Sequence, residues 1–336
     1  MKVAVLSPVA WRTPPEHYGP WEQIAYNIAT GIAKKGIDVT LFATKNSVAA
    51  IKTDGVIEKG YEEDKNIDAK VAECLHISYL MEQASSFEII HNNFDFLPLT
   101  YSKLIRTPML TTIHGFSSQK IIPVYKKYND ISYYVSISDA DRSNELNYIT
   151  TVYHGIQKEQ FELVEKPEDY LLFFGRIHPD KGTYDAIQIA KAVNKKLIIA
   201  GIIQDINYYN EKIKPLIDGK QIEFVGHADS IKRKELLGKA IALLHPIYFN
   251  EPFGLSVVEA MFCGTPVIAY NRGSMPEIIK NDLSGFLVND MNEAIDAVKN
   301  VSIIDRKRCY DYATEKFSYD KMIDAYIKVY EKILSV

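Results

Sequence analysis

The stretch HPIYFNEPFGLSVVEAMFCGTPVIA, residues 245–269, carries Glu251 and Glu259 on either side of Gly254, Leu255 and Ser256. An apolar run ending at His245 and Pro246 predicts a strand, then a loop, then a helix starting near Gly254. Glu251 precedes that helix and Glu259 lies a turn inside it, about 6 Å further along at roughly 1.5 Å per residue. The N–H groups of Gly254, Leu255 and Ser256 are free to face an anion, and the helix dipole favours a phosphate there. Gly254 has no Cβ to block close approach. Carboxylates do not bind phosphate, but they accept hydrogen bonds from hydroxyls on either side of it. A nucleotide sugar supplies that order: ribose hydroxyls, a diphosphate, hexose hydroxyls. An acidic helix start stabilised by the dipole, with Glu259 on a solvated face, fits the same spacing equally well.

A second stretch, FGRIHPDKG at residues 174–182, places Arg176 and Lys181 across a turn containing Pro179. The planar fork of Arg and the compact cation of Lys can together hold a diphosphate. Negative charge grows on the leaving oxygens as a glycosidic bond to phosphate breaks, so cations already in place favour the transition state. A surface turn with solvated charges is the plainer reading. Near the N-terminus, Trp11, His17, Tyr18 and Trp21 form an aromatic cluster suited to stacking on an acceptor ring, although core packing explains Trp21 as well. No HExxH and no compact acidic triplet occurs, so the expected chemistry needs no obligatory metal.

These residues must be positioned by elements, and the chain spells them out. Its 336 residues suffice for about two domains. Continuous apolar runs at residues 2–6, 38–43, 87–91, 108–113 and 133–137 read as buried parallel strands, with helices over 21–35 and 68–85. Ser138 and Asp141 resemble the start of a further helix. After a polar linker at 166–169 the pattern restarts, with strands at 170–174, 196–200, 221–225, 242–245 and 266–269 and a helix at 183–193. Residues 318–334 carry Met322, Ile323, Tyr326, Tyr330 and Ile333 at helical spacing. The fold class is α/β, with domains at 1–165 and 166–317 and a packing helix at 318–336 that crosses back to the first domain. Net charge −4 and a pI near 6.1 exclude a protein that binds nucleic acid by neutralising phosphates. Cys74, Cys263 and Cys309 match neither a disulfide framework nor a zinc motif. No apolar stretch is long enough to span a bilayer. The expected location is cytoplasmic.

The pair Glu251 and Glu259, downstream of GR-x3-DKG, resembles the retaining glycosyltransferases of family 4, which have the GT-B fold. The N-terminal half is similar too: LSP, HYGPWEQIAYNIATGIAKKGIDVTLFAT, TTIHG at 111–115 and VYHGI at 152–156 match the family, as do NRGSMPEII and GFLV further on. The likeness covers nearly the whole chain. It implies two facing Rossmann-like doubly wound domains with a cleft between them, the second binding a nucleotide diphosphate sugar as co-substrate with no obligatory cofactor. It also implies that Glu251 contacts the donor hexose, Glu259 the ribose, and Arg176 and Lys181 the diphosphate. Gly19, Phe253, Gly254, Leu255 and Ser256 fall on the donor side, His114 near the donor sugar, and Trp11, His17 and Tyr18 on the acceptor side. His91, His154 and His245 are weaker candidates; His76, His178 and His227 look incidental. Many relatives have two adjacent glycines where this chain has Gly19 and Pro20. Pro20 suits a first helical turn but cannot donate to a phosphate. The implied reaction moves a hexose, glucose favoured, from a UDP-sugar to a hydroxyl of a glycan or small-molecule acceptor, with same-face attack. Peripheral membrane contact stays open. An epimerase or phosphorylase on the same scaffold, or a non-catalytic nucleotide-sugar sensor, would use the same groups.

Overall fold

Runs such as KVAVL and MLTTI bury both faces, which demands parallel strands covered by helices on each side. The computed structural model describes residues 1–16, 18–116 and 118–335, and two such assemblies follow one another along it. The first comprises β1 (Lys2–Leu6), α1 (Pro20–Lys34), β2 (Asp38–Phe42), β3 (Lys52–Asp54), α2 (Ala69–Glu82), β4 (Ile89–Asn92), β5 (Met109–Ile113), α3 (Ile122–Lys127), β6 (Tyr133–Ser136) and β7 (Tyr148–Thr151). Among the described residues its sheet has seven strands in the order β3-β2-β1-β4-β5-β6-β7, all parallel.

The second assembly runs through β8 (Tyr170–Phe174), α4 (Thr183–Ala192), β9 (Lys196–Ala200), α5 (Ile206–Tyr208), β10 (Ile222–Gly226), α6 (Ser230–Lys239), β11 (Ala242–His245), α7 (Leu255–Met261), β12 (Val267–Tyr270), α8 (Met275–Ile278), β13 (Gly285–Val288), α9 (Met291–Asn300) and α10 (Arg306–Lys316). Its sheet is ordered β10-β9-β8-β11-β12-β13. Both sheets are doubly wound, as expected for the two Rossmann-like units of a GT-B fold.

The chain divides into two compact units, Met1–His154 with Asp320–Val336, and Gly155–Tyr319. Each has its own apolar core. Residues 155–165, left with the first half by the sequence reading, lie in the second unit. Ile156 pairs with Ser318, Val164 N–H donates to Cys263 O, and the Arg306 guanidinium donates to the carbonyls of Val164, Ala240 and Gly238. The polar stretch at 166–169 is therefore a turn inside a unit.

Helix α11 (Tyr319–Leu334) belongs with the first sheet. Tyr330 Oη lies 2.6 Å from His91 Nδ1, and His91 Nε2 lies 2.7 Å from Thr112 Oγ1, which is 3.0 Å from Tyr326 Oη. His91 is thus a core residue, its imidazole pushed down to about 3 by burial, and not a site candidate. The helix expected after Ser138 does not form. Ser138 Oγ accepts from Asp141 N–H at 3.2 Å, but the segment 138–147 has no apolar face to bury and stays in turns. Among the described residues no helix is long and apolar enough to cross a membrane.

Candidate functional site

In an open α/β sheet, ligands bind beyond the carboxyl ends of the strands, where the strand order reverses. In the second unit that reversal lies between β8 and β11, and the loops that follow them carry the residues singled out in sequence. Gly182 (φ 70°) lets these two loops touch: a Cβ there would sit 1.9 Å from Pro246 O. Tyr248 N–H donates to Asp180 O at 2.8 Å across the same contact. Lys181 Nζ then reaches Glu251 Oε2 at 2.6 Å, both side chains about one-seventh exposed, and stands 4.4 Å from the centre of the Phe249 ring.

His245 Nε2 lies 3.5 Å from the same Glu251 oxygen. Burial lowers the His245 pKa, so Lys181 is the standing counterion. Burial alone would raise the Glu251 carboxyl, but His245 and Lys181 outweigh it and hold the group down at about 2. Glu251 is an ionised, acceptor-only group at neutral pH. Its backbone is fixed from the other side by Gly273, where a Cβ would meet Glu251 N at 2.4 Å, and by Ser274 N–H donating to Glu251 O.

Gly254 takes the left-handed conformation (φ 89°) at the start of α7, and no side chain caps that end. Leu255 and Ser256 are half-buried there. The Phe253 ring is buried, edge-on to Phe317 at 6.0 Å, so its backbone, which accepts from Ser274 Oγ, is what lies with the loop. Glu259 is buried with its Oε1 3.4 Å from Arg233 on α6. Burial raises this carboxyl and Arg233 opposes the shift, so Glu259 is not on a solvated face. Arg176 is half-buried and donates to Gln204, in the loop after β9.

In the first unit, Gly19 (φ 150°) precedes α1 and Pro20 occupies its first turn. Trp11 N–H donates to Glu22 Oε1 at 3.3 Å, and burial raises the Glu22 carboxyl to about 7 against the bonds from its own N–H and Trp11. Tyr18 is exposed; His17 lies outside the described residues. His114 follows β5, buried, its ring stacked with Trp21 (5.8 Å) and with His154 (5.3 Å). His114 Nε2 is 3.0 Å from Asn93 Oδ1, while Nδ1 is buried without a partner among the described residues. Such an orphan costs about 1–3 kcal/mol unless a ligand satisfies it. Burial, then His154 and His91, push the His114 pKa well down. His76 is a core residue bonded to Ser7 O, and His178 caps the turn at Asp180.

The second unit therefore brings Lys181, Glu251 and His245 into contact, with Gly254 against the Glu251 side chain. Arg233 and Asn93 escaped the sequence reading. Arg233 sits in the charged run SIKRKELL, and Asn93 gains its partner only when β4 and β5 align; neither leaves a mark in one dimension. Among the described residues no group of three His, Cys, Asp or Glu side chains is arranged to hold a metal ion.

The family model for "Glycosyl transferases group 1" matches residues 156–316. An uncharacterized 41.2 kDa protein in the cps region of Klebsiella pneumoniae is 28% identical over 218 residues, 60% of this chain and 60% of that protein's length. N-acetyl-alpha-D-glucosaminyl L-malate synthase of Bacillus anthracis is 24% identical over 265 residues, 68% of this chain and 69% of that one. Anabaena Alr3699/HepE, solved in complex with UDP and glucose, superposes with a TM-score of 0.75 at 18% identity over 100% of both chains. At that identity the likeness is one of fold.

Proposed function

From the match of residues 156–316 to the glycosyl transferases group 1 family we propose that the chain is a retaining glycosyltransferase moving a hexose from a nucleotide diphosphate sugar to an acceptor hydroxyl. UDP-glucose is our preferred donor, and the UDP and glucose bound by the Anabaena protein of the same fold support that preference. The acceptor is a glycan or a small molecule.

The observation that carries this reading is the joined pair of loops at the β8–β11 reversal, with Lys181 on Glu251 at 2.6 Å. An ionised, nearly buried glutamate beside a lysine can take hydroxyl donors on one side while the lysine takes a phosphate on the other. A diphosphate arriving at Lys181 shares that cation with Glu251, whose freed lone pairs then face a sugar hydroxyl. We assign Arg176 to the departing diphosphate, Gly254, Leu255 and Ser256 to its oxygens through their N–H groups, Glu259 to the ribose, and His114 to a donor-sugar hydroxyl. Cations preset where charge develops lower the barrier more than they tighten ground-state binding. Arg176 and Lys181 supply that charge, so the reading invokes no metal. The leaving diphosphate takes the acceptor proton, and attack on the face it vacates retains the anomeric configuration.

Incubation with UDP-glucose, UDP-galactose, GDP-mannose and ADP-glucose, with release of the nucleoside diphosphate and NMR of the product anomer, tests the proposal. Transfer with retention is expected; donor isomerisation, or tight binding without turnover, would sink it. Arg176→Ala should cut turnover about 10²-fold with donor affinity nearly unchanged.

A further inference from the structure

We propose that Asn93 is a positioning residue that fixes His114 in one tautomer, with the proton on Nε2 and Nδ1 held as an acceptor for a substrate hydroxyl. Asn93 follows β4, and its N–H donates to Leu6 O at 3.0 Å, which ties its backbone to the neighbouring strand. Its side chain is fully buried. The amide NH2 turns toward His91 O at 3.5 Å, leaving Oδ1 to face His114 Nε2 at 3.0 Å. An amide oxygen only accepts, so Nε2 must carry the proton.

The ring has little freedom to do otherwise. Trp21 and His154 both stack on it, at interplanar angles of 29° and 26°. The titratable groups acting on it are His154 and His91, both of which disfavour a second proton in this buried place. Nδ1 therefore keeps its lone pair, has no partner among the described residues, and is buried. A carboxylate at position 93 would reverse this by stabilising the doubly protonated ring, turning Nδ1 from acceptor to donor.

The catalytic side of the inference rests on the reading of His114 given above, while the tautomer itself can be measured in the free protein. Long-range 15N–1H NMR of the histidine-labelled chain should show His114 with a protonated Nε2 and a bare Nδ1. Asn93→Asp should give both nitrogens protonated at pH 6, and Asn93→Ala, which adds no charge, a mixture of tautomers. UDP release from UDP-glucose should fall about tenfold in Asn93→Asp, and by less than about twofold when the same change is made in a His114→Ala background. A proton on Nδ1 in the unsubstituted protein, or spectra indifferent to residue 93, overturns the proposal. The expected spectra with turnover unaffected by His114→Ala support the tautomer assignment and overturn instead the assignment of His114 to the sugar.

Discussion

Glu251 is a carboxylate that stays ionised because a cation is built against it. Burial favours its neutral form, and Lys181 with His245 reverse the balance. Removing the cation exposes the underlying cost. Lys181→Met should lower the stability of the second unit by about 3 kcal/mol, since it leaves a buried charge uncompensated, and should move the acid limb of the pH–rate profile upward as Glu251 regains its proton. Urea unfolding and a pH–rate profile measure both, and an unmoved acid limb would count against the pairing. Residues of this kind were legible in sequence because the loops that hold them are marked by GR, DKG and the two glutamates. Arg233 and Asn93 were not. A histidine's stacking partner is set by which strand ends lie side by side, which no local spacing encodes.

At the scale of elements, the strands were the most legible feature, because a parallel sheet covered on both faces needs unbroken apolar runs. The short β3 and β7 lack such runs, and their assignment depends on the strand each one joins. Residues 138–147 show the converse error: a good capping residue without an apolar stripe makes a turn, since tertiary burial supplies most helical stability. The loops are held by close backbone approach, and glycine is what permits it. Gly182→Ala forces a Cβ onto Pro246 O and strains a left-handed residue. The substitution should cost about 2 kcal/mol and separate Lys181 from Glu251, so turnover should fall well beyond what the lost stability explains. Thermal melts read beside kcat give the comparison; a variant with parental turnover would show that the loops need not touch.

At the scale of the whole molecule, the titratable groups are unevenly shared. His76, His91, His114 and His154 are all buried in the first unit with imidazole pKa values lowered by burial, against His245 in the second. A histidine whose folded pKa is depressed stabilises the fold fully above about 6.5 and loses that contribution as pH falls below it, at about 1.4 kcal/mol per pH unit each. Glu22, raised to about 7, and Glu73, also raised by burial, work in the opposite direction, two groups against four. Between pH 7 and 5 the first unit should therefore loosen well before the second, and hydrogen exchange of peptides from the two units at both pH values checks this. Equal loss in both units would contradict it. The path of the chain adds a further consequence. The first unit is interrupted: residues 155–319 are made before Asp320–Val336, which returns to it. Tyr326 and Tyr330, the partners of Thr112 and His91, leave the ribosome only after the whole second unit has been synthesised. Nascent chains usually complete their N-terminal domain first; here the later-born unit is the one free to finish, while the earlier waits, its core unsealed, for Asp320–Val336 to emerge.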